Sequence, residues 1–206
     1  WPRSHIPFDE RLPQSVNAGL DLMAAISNGS GIAVDTEVDH NYLGQALMNR
    51  VPRVLWYRVA ITGKIRAMSR SSSVSVADLG LLKSQIALFK EASDGATAAL
   101  QVAKSYSTDG RIESLNEQIG AFVDIAPHFV SEAEAVATAF ETATTPQSVS
   151  ISSFMDATKA QAQASQALWH SGATTLTAML DDHAAGLRSA LFTTLAVILA
   201  AVVVAL

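Results

Sequence analysis

The sequence predicts an all-α protein, an antiparallel long-helix bundle of the four-helix type whose last helix continues into a transmembrane segment. Three observations lead to this prediction. Apolar residues recur at intervals of three and four along five segments, no strand-type alternation competes with them, and residues 190–206 carry no charged side chain. Clusters of glycine, proline, serine and threonine separate the segments.

Segments A and B, at about residues 9–28 and 41–69, are the first two predicted helices. Segment A ends at Asn28-Gly29-Ser30-Gly31, a run that suits a helix C-terminus. In segment B, Pro52 should kink or restart the helix. Alternating steps of four and three residues predict a buried stripe on segment B. Its members are Leu43, Leu47, Arg50, Val54, Tyr57, Ile61, Lys64 and Met68.

Segments C and D, at about residues 76–106 and 110–143, have the most regular patterns. Ser75 is placed to cap segment C, and Pro127 should bend segment D. Such unbroken repetition is typical of a bundle seam. The predicted core positions are Leu79, Leu82, Ile86, Phe89, Ser93, Ala96, Leu100 and Ala103 in segment C, and Ile112, Leu115, Ile119, Phe122, Ala126, Phe129, Ala133, Val136 and Phe140 in segment D.

Segment E begins at about residue 149 and runs without a proline into the uncharged stretch Ala190–Leu206. At 1.5 Å per residue this stretch spans roughly 25 Å, the lower edge of a bilayer. We therefore expect an extracytoplasmic helical bundle over residues 1–189 and a transmembrane helix over 190–206, in a piece of a longer membrane protein with an upstream membrane helix. The predicted core positions of segment E are Ile151, Met155, Thr158, Ala162, Ser165, Trp169, Leu176 and Met179.

Composition and motifs exclude several function classes. The net charge of −5 argues against a nucleic-acid partner, and the absence of cysteine removes thiol chemistry and disulfides. No nucleotide-binding, hydrolase or metalloprotease motif is present, and the five histidines are scattered over different segments. We expect no enzymatic activity, no cofactor and no metal site.

The charge layout points to segment B. Between Arg50 and Arg70 there are six basic residues and no acidic one, whereas residues 112–158 hold seven acidic residues and no lysine or arginine. A guanidinium at a buried seam needs a carboxylate, a ligand or water, because an unpaired buried charge is costly. Arg50 therefore predicts either an ion pair with segment D, a side chain that reaches solvent, or a ligand pocket.

In the pocket interpretation, Arg50 and Arg53 hold an anionic group while Trp56 and Tyr57 form flat walls. Asp35, Asp39 and His40, in the loop before segment B, close the same pocket. If Arg50, Arg53, Arg58 and Arg66 were all exposed instead, a basic surface that docks to an acidic partner would be favoured.

Residues 31–55, GIAVDTEVDHNYLGQALMNRVPRVL, resemble a stretch in the extracytoplasmic sensor domains of bacterial methyl-accepting chemotaxis receptors and related sensor histidine kinases. In that stretch an aspartate-spaced loop precedes a Tyr-Leu-x-x-Ala-Leu-x-Asn-Arg-x-Pro helix. The matching positions are Asp35, Asp39, Tyr42, Leu43, Ala46, Leu47, Asn49, Arg50 and Pro52. We include Tyr42 and Asn49 among the candidate ligand-binding residues.

The resemblance implies a helical sensor flanked by two membrane helices, in the inner membrane with residues 1–189 in the periplasm. Its expected partner is a small-molecule ligand, anionic in the pocket interpretation, or a ligand-loaded binding protein. A homodimer is expected by analogy, and the alanine-rich face of segment E would permit close helix approach. The alternatives are the sensor region of a membrane histidine kinase, a helical interaction module, and a tail-anchored or pore-forming bundle.

Overall fold

The computed structural model describes residues 37–108 and 110–196 with their side chains, the backbone of residues 197–205, and five residues near the N-terminus. Those five residues are helical and exposed: Ala18, Gly19, Asp21, Leu22 and Ala25. The rest of segment A, together with Asp35, lies outside the described residues. Within the described ranges all regular structure is helical, as predicted.

Four helical stretches form the fold over the described residues 37–108 and 110–205. The first consists of α1 (Val38–Gln45), a π turn (Ala46–Arg50) and α2 (Val51–Arg70), which follow one another without a gap and are called the N-terminal helix below. Then come α3 (Val76–Tyr106), α4 (Asn116–Thr142) and α5 (Ser152–Ala205). Short 3₁₀ turns, Glu113–Leu115 and Pro146–Ser148, precede α4 and α5.

These helices pack as an antiparallel four-helix bundle. The N-terminal helix packs on α3, α3 on α4 and α4 on α5, and contacts between α5 and the N-terminal helix close the ring. Short connections between long helices place consecutive helices side by side in opposite directions. The prediction of an all-helical bundle is confirmed. α3 has the predicted bounds, and α4 continues through Pro127.

The predicted seams of segments C and D are confirmed almost completely. All nine positions predicted for segment D are buried, and in segment C only Leu79 is half-buried. Phe89 and Phe129 meet across the α3–α4 interface with ring centroids 4.5 Å apart. Aromatic pairs at this separation add to the stabilisation from apolar burial.

The seam of segment E is partly wrong. Trp169 is 39 % exposed, and its neighbour Leu168 is fully buried in its place. An α-helix has 3.6 residues per turn, so the step from one buried residue to the next is either three or four. Choosing the wrong step assigns the buried position to the exposed neighbour, here Trp169 for Leu168. The alanine-rich face does not form one free surface either, because Ala157 lies in the core while Ala167 is exposed.

The end of the bundle near residues 70–83 is held by capping and by ion pairs. Ser75 caps α3 as predicted, in a capping box with Asp78. Asp78 also accepts a hydrogen bond from Lys64 at 2.5 Å, which ties α2 to α3. Hydrogen bonds from Lys64 and Ser75, together with the charge of Lys64, lower the pKa of Asp78 to about 2.

α5 is much longer than the bundle. From Ala185 to Ala196 every residue is exposed, and the helix continues to Ala205. This protruding part measures roughly 30 Å at 1.5 Å per residue. Over the residues whose side chains are described, no helix is both long and apolar enough to cross a membrane.

α5 lies very close to the N-terminal helix at Gly172. A Cβ built on Gly172 would lie 2.7 Å from Cδ2 and 2.8 Å from Cδ1 of Leu47. Leu47 is 1 % exposed and therefore has little room to move away. The contact requires glycine because of space, not because of backbone conformation.

We predict that Gly172→Ala destabilises the fold by about 1–2 kcal/mol, since overpacking a tight contact costs more than the gain in helix propensity. Gly63→Ala is the matched control. Gly63 is a helical glycine with nothing within 4 Å of its added Cβ, so alanine there should stabilise by about 0.5–1 kcal/mol. Urea unfolding of both variants measures these changes. Stabilisation by both substitutions would contradict the tight contact.

A second prediction concerns acid stability. Because the folded-state pKa of Asp78 lies below its ordinary value of 3.8, this carboxylate stabilises the fold above about pH 4 and loses its effect as the pH falls towards 2. Thermal unfolding midpoints should therefore separate wild type from Asp78→Asn at neutral pH and converge near pH 2. Lys64→Met, which removes the partner, should show the same convergence. A pH-independent difference would contradict this account.

Candidate functional site: a cationic cavity on the N-terminal helix

Gln45, Asn49, Arg50 and Arg53 line one cavity of about 190 Å³. Positions 45, 49 and 53 are spaced four residues apart, so their side chains lie on one face of the N-terminal helix over about two turns. The structure thus brings together Asn49, Arg50 and Arg53 of the predicted site and adds Gln45. Among the described residues, the walls contain two guanidinium groups and two amides and no carboxylate, a donor set that suits a carboxylate or phosphate group.

The Arg50 side chain lies across α3 at Gly95. A Cβ on Gly95 would lie 3.3 Å from Arg50 Nη1 and 3.5 Å from Cζ, so the missing side chain makes room for the guanidinium. Within the described part of the chain, no ion pair involves Arg50. The predicted ion pair between Arg50 and segment D is therefore not formed, and the donors of Arg50 remain available.

The predicted seam position of Arg50 is wrong. Arg50 is exposed, and Val51 is fully buried instead. The prediction assumed a strict 3.5-residue repeat, whereas an α-helix has 3.6 residues per turn, and the π turn Ala46–Arg50 departs further from that repeat at this point. Downstream, the buried positions 54, 61 and 68 agree with the prediction. Tyr57 and Lys64, however, are only half-buried, and Ile65 is fully buried.

Arg58 is the basic residue that faces the interior. Its guanidinium Nε is buried without a hydrogen-bond partner, and burial lowers the pKa of this group. Arg58 lies eleven residues after Leu47, and Gln161 lies eleven residues before Gly172. Because Leu47 contacts Gly172 and the two helices are antiparallel, Arg58 and Gln161 lie at about the same height along the bundle. Gln161 is fully buried and donates to Ser165 Oγ at 2.8 Å, but its Oε1 accepts no hydrogen bond.

Asp39 and His40 lie at a different place from Arg50. They line a cavity of about 150 Å³ at the opposite end of the bundle from the Ser75 cap, where the His40 and His183 rings stand edge to face with centroids 5.8 Å apart. Asp39 is ten residues before Asn49, or about 15 Å along a helix. The structure therefore divides the predicted pocket in two. The remaining residues around this second cavity are Glu37, Thr108, Arg111, Met179 and Asp182.

The aromatic walls are not part of the cationic cavity. Tyr42 and Tyr57 are half-buried and pack against the core, and Trp56 is half-buried as well. None of the three lines the cavity. The exposure pattern expected for a docking surface is also incomplete, because Arg50, Arg53 and Arg66 are exposed while Arg58 is half-buried.

Sequence reasoning overlooked Gln45 and the inward position of Arg58. Gln45 is four residues before Asn49, so the helical spacing of Asn49 and Arg53 could have found it. Arg58 lies four residues after Val54 and three before Ile61, both buried, so helical spacing could also have placed it inward. The sequence gives no signal for the π turn other than the nearby Pro52. A proline lacks an N–H and crowds the preceding helical turn, and this favours local departures from α geometry.

No protein-family model, curated protein or solved structure matches this chain. The resemblance of residues 31–55 to chemoreceptor sensor domains stays a prediction based on the residues quoted above. Because no comparison indicates a function, the function proposed below rests on the geometry of the cationic cavity and of the long α5 helix.

Proposed function

We propose that this chain is the ligand-sensing region of a transmembrane chemotaxis receptor, which passes a ligand-induced shift through α5 to a cytoplasmic signalling module. The observation that carries the proposal is the single uninterrupted helix from Ser152 to Ala205. Its first part belongs to the bundle and its last part extends beyond it. Such a rod can transmit a displacement of about 1–2 Å over its length.

The ligand would be a small anion bound in the cavity around Arg50 and Arg53. Two guanidinium groups, with no carboxylate among the described residues that line the cavity, favour an anionic group, and amides at Gln45 and Asn49 supply further donors. A cavity of about 190 Å³ suits a ligand of few atoms. A carboxylate or phosphate compound of low mass fits this description.

The π turn would couple the cavity to α5. Arg50 and Leu47 belong to the same turn, Ala46–Arg50. Arg50 reaches the cavity, while Leu47 contacts α5 at Gly172. A ligand that pulls on Arg50 therefore acts on the turn whose Leu47 packs tightly against α5, and binding energy can be converted into movement of α5.

The membrane would receive the far end of α5. Ala190–Leu206 contains no charged residue, and Leu187, Leu191, Phe192 and Leu195 are 47–71 % exposed on the protruding helix. Exposed apolar side chains on an isolated helix need a lipid or protein environment. The proposed location is the inner membrane, with the bundle in the periplasm and the receptor acting as a homodimer, as the resemblance implies.

Two other functions share part of this support. A sensor histidine kinase would use the same bundle and rod with a different cytoplasmic module. An interaction module that docks to an acidic protein is favoured by the exposed Arg50, Arg53 and Arg66 on the N-terminal helix. The two binding modes differ in their use of Arg66, which does not line the cavity.

The cavity predicts a specific response to anions. In thermal-shift titrations of the full chain with low-mass carboxylates and phosphates, at least one should raise the unfolding midpoint. A ligand at 100 times its Kd contributes about 2.7 kcal/mol. Arg50→Gln and Arg53→Gln should each abolish the shift, because each removes a charged donor. Arg66→Gln, on the same helix but outside the cavity, is the matched control.

Three outcomes are informative in this titration. Loss of the shift in both cavity variants with a wild-type response in Arg66→Gln supports the anion site. An equal loss in all three variants favours a diffuse basic docking surface instead. If no anion shifts the midpoint of the wild-type protein, the ligand proposal fails.

If residues 190–206 lie in the membrane, a charged side chain placed among them should weaken membrane attachment. The full chain should remain with membranes after an alkaline carbonate wash, and Ile198→Asp, at the centre of the uncharged stretch, should release it. A carboxylate at that depth costs roughly 2.5–3.5 kcal/mol of insertion free energy. Leu81→Asp, on an exposed site of α3, should remain in the membrane fraction. Complete release of the wild-type chain would overturn this assignment.

A further inference from the structure

A groove runs along the interface of α3 and α4, away from the cationic cavity. It consists of two adjoining cavities of about 440 and 290 Å³, which share Lys90 and Glu134 in their walls. These volumes lie at or near the range of small-molecule sites. The described residues that line the groove do not line the Arg50 cavity. Arg50 itself packs on α3 at Gly95, the residue after Asp94.

The floor of the smaller cavity is apolar. Val123, Ala126, Pro127 and Val130 contribute to it from α4. Ala126 is buried, and Val123 and Val130 pack against the core behind them. The floor is therefore fixed by the bundle and offers a surface for a few methylene groups of a ligand.

A buried hydroxyl in the same cavity has no hydrogen-bond partner. Ser93 is 4 % exposed and lines the smaller cavity, yet its Oγ makes no hydrogen bond. Hydroxyls inside helices usually bond to a carbonyl one turn back, as Thr158 does to Phe154 O at 2.8 Å. A polar ligand atom would satisfy the Ser93 hydroxyl.

The three charged residues that line the smaller cavity have no ion-pair partner among the described residues. Lys90 and Asp94 lie one turn apart on α3, and Glu134 lies on α4. Within the described ranges none of the three makes an ion pair. At the far end of the groove, by contrast, Lys83 bridges to Glu141 at 2.5 Å. The smaller cavity therefore has both signs of charge available above an apolar floor.

We propose that the α3–α4 groove binds a short zwitterion, with its carboxylate on Lys90 and Ser93 and its ammonium on Asp94. Side chains one helical turn apart are about 5–6 Å from each other at Cβ. The Lys90 ammonium lies at the end of a long side chain, so the two charges can stand farther apart than these Cβ atoms. A ligand whose charges are separated by several apolar bonds spans them while its chain covers Val123, Pro127 and Val130. The chemical class is an ω-amino acid. This site goes beyond the proposed anion sensor and does not depend on it.

Isothermal titration calorimetry on the full 206-residue chain tests the proposal. The probes are 4-aminobutyrate, glycine, butyrate and butylammonium. Because both charges and their separation are needed, 4-aminobutyrate should bind at least tenfold more tightly than the other three. Glycine tests the separation, and the two singly charged compounds test the need for each charge.

Variants assign the contacts. Lys90→Gln and Asp94→Asn should each weaken 4-aminobutyrate binding by about tenfold, and Ser93→Ala by a smaller factor, since it removes one hydrogen bond. Lys104→Gln and Glu117→Gln, exposed on α3 and α4 outside the groove, should bind like wild type. Circular dichroism checks that each variant is folded.

The proposal is overturned if the four probes bind equally, if none binds, or if Lys90→Gln and Asp94→Asn leave the affinity for 4-aminobutyrate unchanged. Arg50→Gln distinguishes this site from the anion sensor. It should abolish the anion response and leave zwitterion binding intact. Loss of zwitterion binding in Arg50→Gln would assign the ligand to the other cavity and contradict the groove.

Discussion

The contact between Leu47 and Gly172 is the constraint on which the arrangement of the first and last helices depends. Only a residue without a side chain lets α5 come this close to the π turn. The contact fixes which residues of the two antiparallel helices lie level. It therefore places Arg58 at about the height of Gln161 along the bundle. At one end of the bundle it brings α5 to the N-terminal helix so that His183 contacts His40. A tight, buried contact has few alternative arrangements, so it specifies one register.

The bundle combines an apolar core with a few polar groups that have no partner. Phenylalanine, leucine and isoleucine fill most of the interior, but Arg58 Nε, Ser93 Oγ and Gln161 Oε1 are buried without hydrogen bonds. Such atoms cost stability, about 1–3 kcal/mol each in mutational data. A protein selected for stability alone would place apolar side chains there. Polar atoms at these sites fit a protein whose interior and grooves interact with ligands.

The proposed signalling route needs only short steps. A ligand at Arg50 would act on the π turn, the π turn touches α5 through Leu47, and α5 leaves the bundle as one helix. π turns contain a weaker hydrogen-bond pattern than α-helices and are frequent at functional sites. The α3–α4 groove would reach the same helix from the other side, because α4 packs along α5. A site for anions and a site for zwitterions would then both act on α5.

The sequence alone determined the helical class, the bounds of α3, the capping role of Ser75 and the core of α3 and α4, because these follow from local periodicity and capping chemistry. It also brought out Asn49, Arg50 and Arg53, which share a cavity because residues on one helical face stay neighbours in any fold. Only the tertiary structure decided that Arg50 faces solvent, that the Arg58 Nε is buried, and that Asp39 lies apart from both. It also decided that Lys90, Ser93 and Asp94 of α3 line a cavity with apolar residues of α4. The apolar pattern allows either position 50 or position 51 to be buried, and contacts between helices depend on packing distances that no single segment encodes.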